Sequence, residues 1–352
     1  MTLWTIRRQA GPVAPFARRA WLIAWAAAVA RTPSLLAEAL YVERRRAEVS
    51  DASAPLFILG HWRSGTTHLY NLLAQSPQMA FVSPFATALP WDFLLLGRAL
   101  EPLLARALPE HRYIDKIQVD PDSPQEDEIA LANMTALSYY HALYFPGAFE
   151  PLFRRGVFFD GVSDQAVADW QRLLRGFYDK LALRQPGRQL VIKNPAYTAR
   201  PLMLYRMWPQ ARFIHIHRHP VKVFLSMRNF FTKLFEQFAL QPWDHLDIDE
   251  IIFATYERMM DQLIAQSADI PPQQFLQIRY ETFQGGELAG LRQIYEHLRL
   301  PDFDQDAPIF QAYLQRIAGY QKNRFQVDPA LVRRIETRWS RFFDYWEYQA
   351  AA

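Results

Sequence analysis

The 352-residue chain is long enough for one large α/β domain or two smaller ones, and its 50% hydrophobic residues can bury a sizeable core. The absence of cysteine excludes disulfide bonds and is consistent with a reducing compartment. The net charge of +3 favours an anionic ligand only mildly, and we predict no nucleic-acid partner.

The first 50 residues combine arginines with an apolar run. Four arginines lie between residues 7 and 19, and 11 apolar residues follow without interruption at 20–30. The small residues Ala28-Val29-Ala30 resemble a signal-peptide cleavage site, but the charged region is long for a signal peptide and the run is too short to span a bilayer. We predict an N-terminal helical extension at 1–50, packed on the domain or lying on a membrane surface.

A phosphate-binding loop follows the first predicted strand. The apolar residues 56–59 are followed by Gly-His-Trp-Arg-Ser-Gly-Thr-Thr at 60–67, which has the Gly-x4-Gly spacing of a P-loop. Backbone N–H groups of such a loop face an anion, and the next helix directs its positive end to the same point. A loop for ATP has lysine where this chain has Thr66, and Arg63 provides the positive charge instead. The loop therefore predicts a nucleotide whose reactive group differs from that of ATP.

A predominantly helical insertion is expected at about 84–185. Its leucine-rich part at 94–104 predicts a core or lid helix, and the acidic stretch 120–128 leads into an apolar helix. Ser123-Pro124-Gln125-Glu126 has the pattern of a capping box with proline at the first helical position. Glu126 and Glu128 are therefore either helix-start residues or candidate catalytic carboxylates.

Two further predicted strands end in cations. Lys193 ends the strand 189–193, and Arg218 follows the strand 212–217. The helix after Arg218 carries Ser226 on its second turn, so an arginine and a hydroxyl can converge on one phosphate. Ligands of open α/β sheets bind at the carboxyl ends of the strands, which is where these residues are expected.

The fold predicted from these elements is α/β, a P-loop-NTPase-like three-layer fold with a central parallel sheet and large helical insertions. Its strands are expected near 56–60, 189–193, 212–217 and 275–280, with helices between them. An amphipathic helix at 329–349 is expected to close the fold.

These segments resemble the sulfotransferase family that uses 3'-phosphoadenosine 5'-phosphosulfate (PAPS), and they are most similar to its broad bacterial branch. The resemblance covers roughly residues 55–325 and implies a sulfotransferase domain at 51–352 with PAPS as co-substrate. The insertion at 84–185 would cover the acceptor site. The scheme requires no metal, and we find no His/Cys/Asp grouping with metal-ligand spacing in the sequence.

The resemblance also implies roles for single residues. Arg63-Ser64-Gly65-Thr66-Thr67 resembles the family's loop for the 5'-phosphosulfate, and Arg218 with Ser226 resembles its 3'-phosphate pair. Lys193 resembles the strand lysine that meets the leaving phosphate, and Tyr280 resembles a tyrosine beside the adenine.

The position of the general base differs from that in the cytosolic eukaryotic branch of the family. In that branch, the base is a histidine two residues after the strand lysine. This chain has Pro195 there, so Glu126 or Glu128 is the first candidate base and His61 the second. Residues 320–325 are the nearest match to that branch's basic C-terminal loop, although no glycine follows the cations.

We therefore expect sulfuryl transfer from PAPS to a hydroxyl, or as second choice an amine, of an apolar or lipid-like small-molecule acceptor. PAPS is made in the cytosol, so we expect a cytoplasmic enzyme with peripheral membrane contact as an option. One alternative is a P-loop kinase of a small molecule, against which Thr66 argues. The other is a membrane-associated nucleotide-binding protein without catalysis.

Overall fold

The computed structural model describes residues 2–45, 48, 54–97, 100, 123–318 and 328–349. Its contacts divide the chain into two compact units. The first unit consists of Met1–Ser53, Ala80–Leu190 and Lys233–Leu246, and the second of Ala54–Met79, Val191–Thr232 and Asp247–Ala352. Each unit gathers several separate segments of the chain according to their contacts. Such a division does not test the predicted boundary between residues 50 and 51, which stays a prediction.

The strands form one five-stranded sheet in the order β2-β3-β1-β4-β5. They are β1 Leu56–Leu59, β2 Met79–Ala80, β3 Gln189–Lys193, β4 Arg212–His217 and β5 Phe275–Arg279. The pairs β1–β3, β1–β4 and β4–β5 are parallel. The predicted α/β class with a central parallel sheet is confirmed, and the sequence analysis missed only the two-residue strand β2 among these five.

The helices account for most of the remaining described residues. They are α1 Thr2–Ala10, α2 Arg18–Ala30, α3 Thr32–Arg44, α4 Thr66–Leu73, α5 Pro84–Ala88, α6 Asp127–Met134, α7 Tyr140–Tyr144, α8 Phe149–Phe158, α9 Asp164–Arg184, α10 Pro201–Met207, α11 Pro220–Phe238, α12 Ile248–Ser267, α13 Tyr280–Phe283, α14 Glu287–His297, α15 Phe303–Ile317, α16 Pro329–Arg338 and α17 Ser340–Tyr345. Short 3-10 helices lie at Pro15–Ala17, Pro146–Ala148, Pro195–Ala199 and Pro272–Gln274, and a π-helical turn lies at Phe93–Gly97.

The burial of the strands follows their place in the sheet. All four residues of β1 are buried, as expected for a central parallel strand covered on both faces. The edge strand β5 alternates between buried and more exposed positions. Within the second unit the rings of Phe57 and Phe213 stack with their centres 5.4 Å apart, which fixes β1 against β4.

The closing helix differs from its prediction. Instead of one helix at 329–349, the chain forms α16 and α17, with the fully buried Trp339 between them. The ring of Trp339 stacks on Tyr256 with a centre separation of 4.0 Å and also contacts Phe224 and Phe253. The break falls at this buried ring, and the apolar period alone does not reveal it.

A buried ionic cluster in the first unit consists of Arg31, Glu38, Asp92 and Lys180. Glu38 pairs with Lys180, and Arg31 pairs with Asp92. Both carboxylate side chains are inaccessible to solvent, and Lys180 Nζ also donates to the carbonyl oxygen of Pro90 at 2.8 Å. Burial raises the pKa of Glu38 and lowers the pKa of Lys180, so each charge needs its partner.

Candidate active site

Strand β1 ends in a tight loop that leads directly into α4. Ser64 closes the loop, because its N–H and its Oγ both donate to the carbonyl oxygen of His61, at 3.1 and 2.8 Å. Gly60 has a φ of +148° and Gly65, the N-cap of α4, has a φ of +103°. A Cβ on Gly60 would lie 2.5 Å from the carbonyl oxygen of Ile216, so this position has no room for a side chain.

A side chain from the next strand's end fixes the start of the loop. The Gly60 N–H donates to Thr198 Oγ1 at 2.8 Å. Thr198 is buried on the 3-10 helix Pro195–Ala199, whose N-cap Asn194 accepts from the N–H of Ala196. Sequence reasoning does not single out Thr198, although the Asn-Pro pair before it is a typical helix-start signal.

The predicted 3'-phosphate residues contact both the loop and the predicted adenine-side residue. Arg63 Nε donates to Ser226 Oγ at 2.9 Å, and Arg218 Nη1 donates to the Arg63 carbonyl oxygen at 3.2 Å. The Arg218 guanidinium lies 4.6 Å from the centre of the Tyr280 ring. A Cβ on Gly65 would lie 2.2 Å from an atom of the same ring. We call Arg63, Arg218, Ser226 and Tyr280 the arginine cluster.

The sheet register explains this convergence. His217 of β4 pairs with Arg279 of β5, so the next residues, Arg218 and Tyr280, are neighbours. The strand β5 ends one residue before Tyr280, which begins α13. At the other side of β1, Ile58 pairs with Lys193, so this lysine ends its strand close to the start of the loop.

The remaining loop residues open helix α4. Thr66 is its first residue and is buried, whereas Thr67 is half-buried. The Gly65 carbonyl oxygen accepts from the N–H groups of His68 and Leu69 at 3.0 and 3.3 Å. The earlier N–H groups of a helix have no partner within it, so this helix start offers donors and a positive dipole end to an anion.

His61, the second candidate base, is buried beside this loop. Its Nδ1 lies 3.0 Å from the Trp62 carbonyl oxygen, and its ring contacts those of Trp62 and Tyr256. Burial lowers its pKa to about 4, and its buried Nε2 has no hydrogen-bond partner among the residues that the structure describes. These features make His61 a weak base, although its role stays a prediction.

The capping-box interpretation of the acidic stretch is wrong. Helix α6 begins at Asp127 and not at Pro124, and the N-cap is Glu126 instead of Ser123. The Glu126 side chain makes no capping hydrogen bond. Helix capping, the structural role that the sequence suggested for Glu126, therefore does not explain this residue.

The two candidate carboxylates differ in their surroundings within the first unit. Glu128 is inaccessible to solvent, and its Oε1 accepts from the backbone N–H of Tyr139 at 3.3 Å. Glu126 is half-buried, and its Oε2 accepts from the Tyr139 hydroxyl at 3.3 Å. Between them, Asp127 accepts from the buried Tyr178 hydroxyl at 2.7 Å. Glu128 therefore has the environment of a structural carboxylate and Glu126 that of an accessible one.

Some predictions fall on residues that the structure does not describe. The basic segment 320–325 lies outside the described residues, and so does most of the leucine-rich segment 94–104. Among the residues that are described, no group of three or more His, Cys, Asp or Glu side chains could hold a metal ion. The expectation of a metal-independent reaction stays a prediction.

Comparison with known proteins identifies the family. The model of the sulfotransferase family matches residues 55–305, which include the loop, both strand-end cations and Tyr280. The chain belongs to the sulfotransferase family. It is therefore a transferase enzyme.

Several similar proteins come from mycobacteria. The chain is 29% identical to the omega-hydroxy-beta-dihydromenaquinone-9 sulfotransferase Stf3 of Mycobacterium bovis over 305 residues, covering 87% of this chain and 78% of the relative. The Stf3 of Mycobacterium tuberculosis gives the same values. Among solved structures, the sulfotransferase STF9 of Mycobacterium avium is similar in fold, with a TM-score of 0.74 at 19% identity over 98% of this chain and 90% of that one. STF1 of Mycobacterium tuberculosis has a TM-score of 0.68 at 19% identity, over 96% and 90%.

Proposed function

We propose that this sulfotransferase moves the sulfuryl group of PAPS to a hydroxyl of an apolar or lipid-like acceptor, with an amine as second choice. The arginine cluster is the observation that carries the proposal. The Arg63 guanidinium donates to the Ser226 hydroxyl, the Arg218 guanidinium donates to the backbone carbonyl oxygen of Arg63, and the Tyr280 ring lies against the Arg218 cation.

The donor set of the second unit fits PAPS. Arg218 and Ser226 would hold the 3'-phosphate, since a guanidinium and a hydroxyl are good phosphate donors. The loop amides, Arg63 and the start of α4 would hold the 5'-phosphosulfate. Tyr280 would lie against the adenine. When PAPS is bound, it supplies a sulfuryl group attached to a phosphate that is a good leaving group.

Lys193 is the residue we assign to the leaving group. Sulfuryl transfer resembles phosphoryl transfer, for which positioning and charge stabilisation dominate over covalent chemistry. As the new oxygen–sulfur bond forms and the bond to the donor's bridging oxygen breaks, negative charge develops on that oxygen. Lys193 can stabilise this charge or donate a proton, while the loop amides hold the other oxygens.

Glu126 is our first choice for the base that takes the acceptor's hydroxyl proton. Its half-buried carboxylate lacks a capping role, whereas Glu128 accepts a backbone hydrogen bond and His61 has a lowered pKa. A base of this kind contributes about 10²–10⁴-fold to the rate. Turnover of Glu126→Gln should fall by about that factor, and a normal rate in this variant would exclude Glu126 as the base.

The acceptor class is inferred from the relatives. The Stf3 proteins are named for a hydroxylated menaquinone, which is a lipid-like alcohol. An acceptor of this class is found in membranes, so we infer a cytoplasmic enzyme, where PAPS is made, that makes peripheral membrane contact. The insertion at 84–185, which we predict to cover the acceptor site, is mostly helical where the structure describes it.

Transfer of labelled sulfate from PAPS to a panel of acceptors tests the proposal. The panel pairs long-chain alcohols with the corresponding amines and with short alcohols. We expect turnover to be highest with the long-chain alcohols and absent without PAPS. Transfer restricted to short polar acceptors would overturn the lipid-like assignment, and no transfer to any acceptor would favour the non-catalytic alternative.

A ligand-protection assay addresses the kinase alternative, which the family match does not support. Adenosine 3',5'-bisphosphate should raise the melting temperature, whereas ATP with magnesium should have little effect. Protection by magnesium-ATP alone would overturn the donor assignment.

A further inference from the structure

The large apolar side chains that face solvent in the described part of the chain are concentrated on two consecutive helices near the N-terminus, α2 and α3, and just before them. They are Phe16, Leu22, Ile23, Val29, Leu36 and Leu40, with exposed fractions between 59% and 72%. Leu22 and Val29 lie two turns apart, and Leu36 and Leu40 lie one turn apart, so each pair shares a face of its helix. We call these six residues the exposed apolar face.

An apolar surface of this size facing solvent indicates a binding site for a partner. Single exposed apolar side chains are common, but soluble monomers rarely present a large apolar patch without a partner. In α2, eight of the ten residues at 21–30 are exposed, including several alanines between the larger side chains. The run therefore does not serve as a core helix of the first unit.

The charge around this face indicates an anionic partner. Residues 1–50 contain eight arginines and three glutamates, a formal charge of +5, whereas the whole chain carries +3. The other residues together are therefore slightly acidic. Arg18 and Arg19 are exposed at the start of α2, and Arg44 is exposed at the end of α3. Arginines at the ends of an apolar helical surface are typical of helices that lie at the lipid headgroups.

The inner side of α3 is fixed to the first unit. Glu38 of α3 pairs with the buried Lys180, and Arg31, the N-cap of α3, pairs with the buried Asp92. No single helix in the described ranges has both the length and the apolar character to cross a membrane. The pair Pro15–Ala30 and Thr32–Arg44, bent by 48°, has the necessary length and composition only when the two are taken together. The ion pairs favour a helix pair that lies on a membrane while α3 remains packed on its own unit.

We propose that α2 and α3 dock the enzyme on a membrane containing anionic lipids. The exposed apolar face enters the boundary between headgroups and acyl chains, and the arginines contact the lipid phosphates. This inference rests on the proposed function in one respect, because a lipid-like acceptor is the reason for the enzyme to reach a membrane. Its evidence is the exposed face and its charge, and its test requires no turnover.

Sedimentation of the full-length protein with vesicles tests the proposal. Vesicles of phosphatidylcholine alone are compared with vesicles that also contain phosphatidylglycerol. We expect stronger binding to the second kind. Leu22→Gln combined with Val29→Gln should lower the partition coefficient about tenfold per side chain. Arg18→Gln combined with Arg19→Gln should lower it about fivefold per arginine on the anionic vesicles only.

Ile309→Gln is the matched control, because Ile309 is an exposed apolar residue on α15, in the second unit. It should bind vesicles like the wild type, and circular dichroism should show that all variants are folded. Wild-type protein that stays in the supernatant with both kinds of vesicle would overturn the proposal. Unchanged binding of the Leu22/Val29 variant would also overturn it.

Two further outcomes would overturn peripheral docking, one in favour of a second copy of the chain and the other in favour of full insertion. A wild-type dimer that the Leu22/Val29 substitutions dissociate, without vesicle binding, would mean that a second copy covers the face. Resistance of bound protein to alkaline carbonate extraction would mean that the helix pair inserts fully. Sulfuryl transfer to a soluble acceptor without vesicles is measured in parallel, so failure of the donor chemistry is seen separately.

Discussion

Replacing Gly65 by alanine should weaken donor binding through Tyr280. Gly65 has a φ of +103°, and its added Cβ would lie 2.2 Å from the Tyr280 ring. The backbone strain of an alanine in this region is about 1–2 kcal/mol. The ring, which we place against the adenine, must also move. Stacking of a base on an aromatic ring contributes about 1–3 kcal/mol, so the Kd for adenosine 3',5'-bisphosphate should rise roughly 5- to 150-fold.

Gly285 provides the matched control for this substitution. Its φ is +89°, and a Cβ there would meet no atom within 4 Å. Gly285→Ala should therefore reproduce the backbone strain without the contact, and it should bind the nucleotide normally. Calorimetric titration measures the Kd, and chemical denaturation measures the loss of stability in both variants.

A double-mutant cycle separates ring displacement from general loop damage. If Gly65→Ala acts by moving the ring, it should add little to the loss already caused by Tyr280→Ala. Equal nucleotide affinity in Gly65→Ala and Gly285→Ala would refute the reasoning. Full additivity in the double variant would place the effect in the loop instead of the ring.

Three further predictions concern charge and pH. Arg218→Ala should lose most donor affinity, which calorimetry with adenosine 3',5'-bisphosphate checks, and retained affinity would remove the 3'-phosphate assignment. Lys193→Ala should lose kcat while the nucleotide Kd changes less, as single-turnover sulfate transfer would show. Burial lowers the pKa of His141 to about 4 from an ordinary value near 6.5, so the unfolded state binds more protons between these pH values. The free energy of unfolding should therefore decrease as the pH falls from about 6.5 to about 4, by up to about 1.4 kcal/mol per pH unit for this histidine. Denaturant titrations of the wild type and His141→Gln should show a shallower decrease in the variant, and identical slopes would contradict the assignment.

The sheet and the position of the glycine loop at 60–67 were predictable because their signals are local. Four apolar strands, each followed by a glycine, cation or helix start, are sufficient to place Lys193, Arg218 and the loop at one edge of a parallel sheet. The contact between Arg63 and Ser226 was not predictable, because it depends on the left-handed backbone of Arg63, with a φ of +71°.

The acidic stretch shows where local rules fail. Ser123 to Glu126 satisfies the sequence pattern of a capping box, yet the helix begins at Asp127. The first two residues of this helix are held by buried hydrogen bonds, of Asp127 with Tyr178 and of Glu128 with Tyr139. These partners lie 51 and 11 residues away along the chain, so no local pattern identifies them.

The buried ionic cluster has a practical consequence for shortening the chain. A truncated protein that begins after α3 would lack Arg31 and Glu38 but keep their partners Asp92 and Lys180 inside the first unit. Removing one partner of a buried ion pair destabilises a protein by about 3–5 kcal/mol, out of the roughly 5–15 kcal/mol that holds a domain folded. The truncation removes one charge of each sign, so Asp92 and Lys180, which attract each other, would have only one another as ionic partners within this cluster. Deleting the N-terminal helices to improve solubility would therefore also remove two internal ion pairs of the first unit, whereas polar replacements on the outer side of these helices leave both pairs intact.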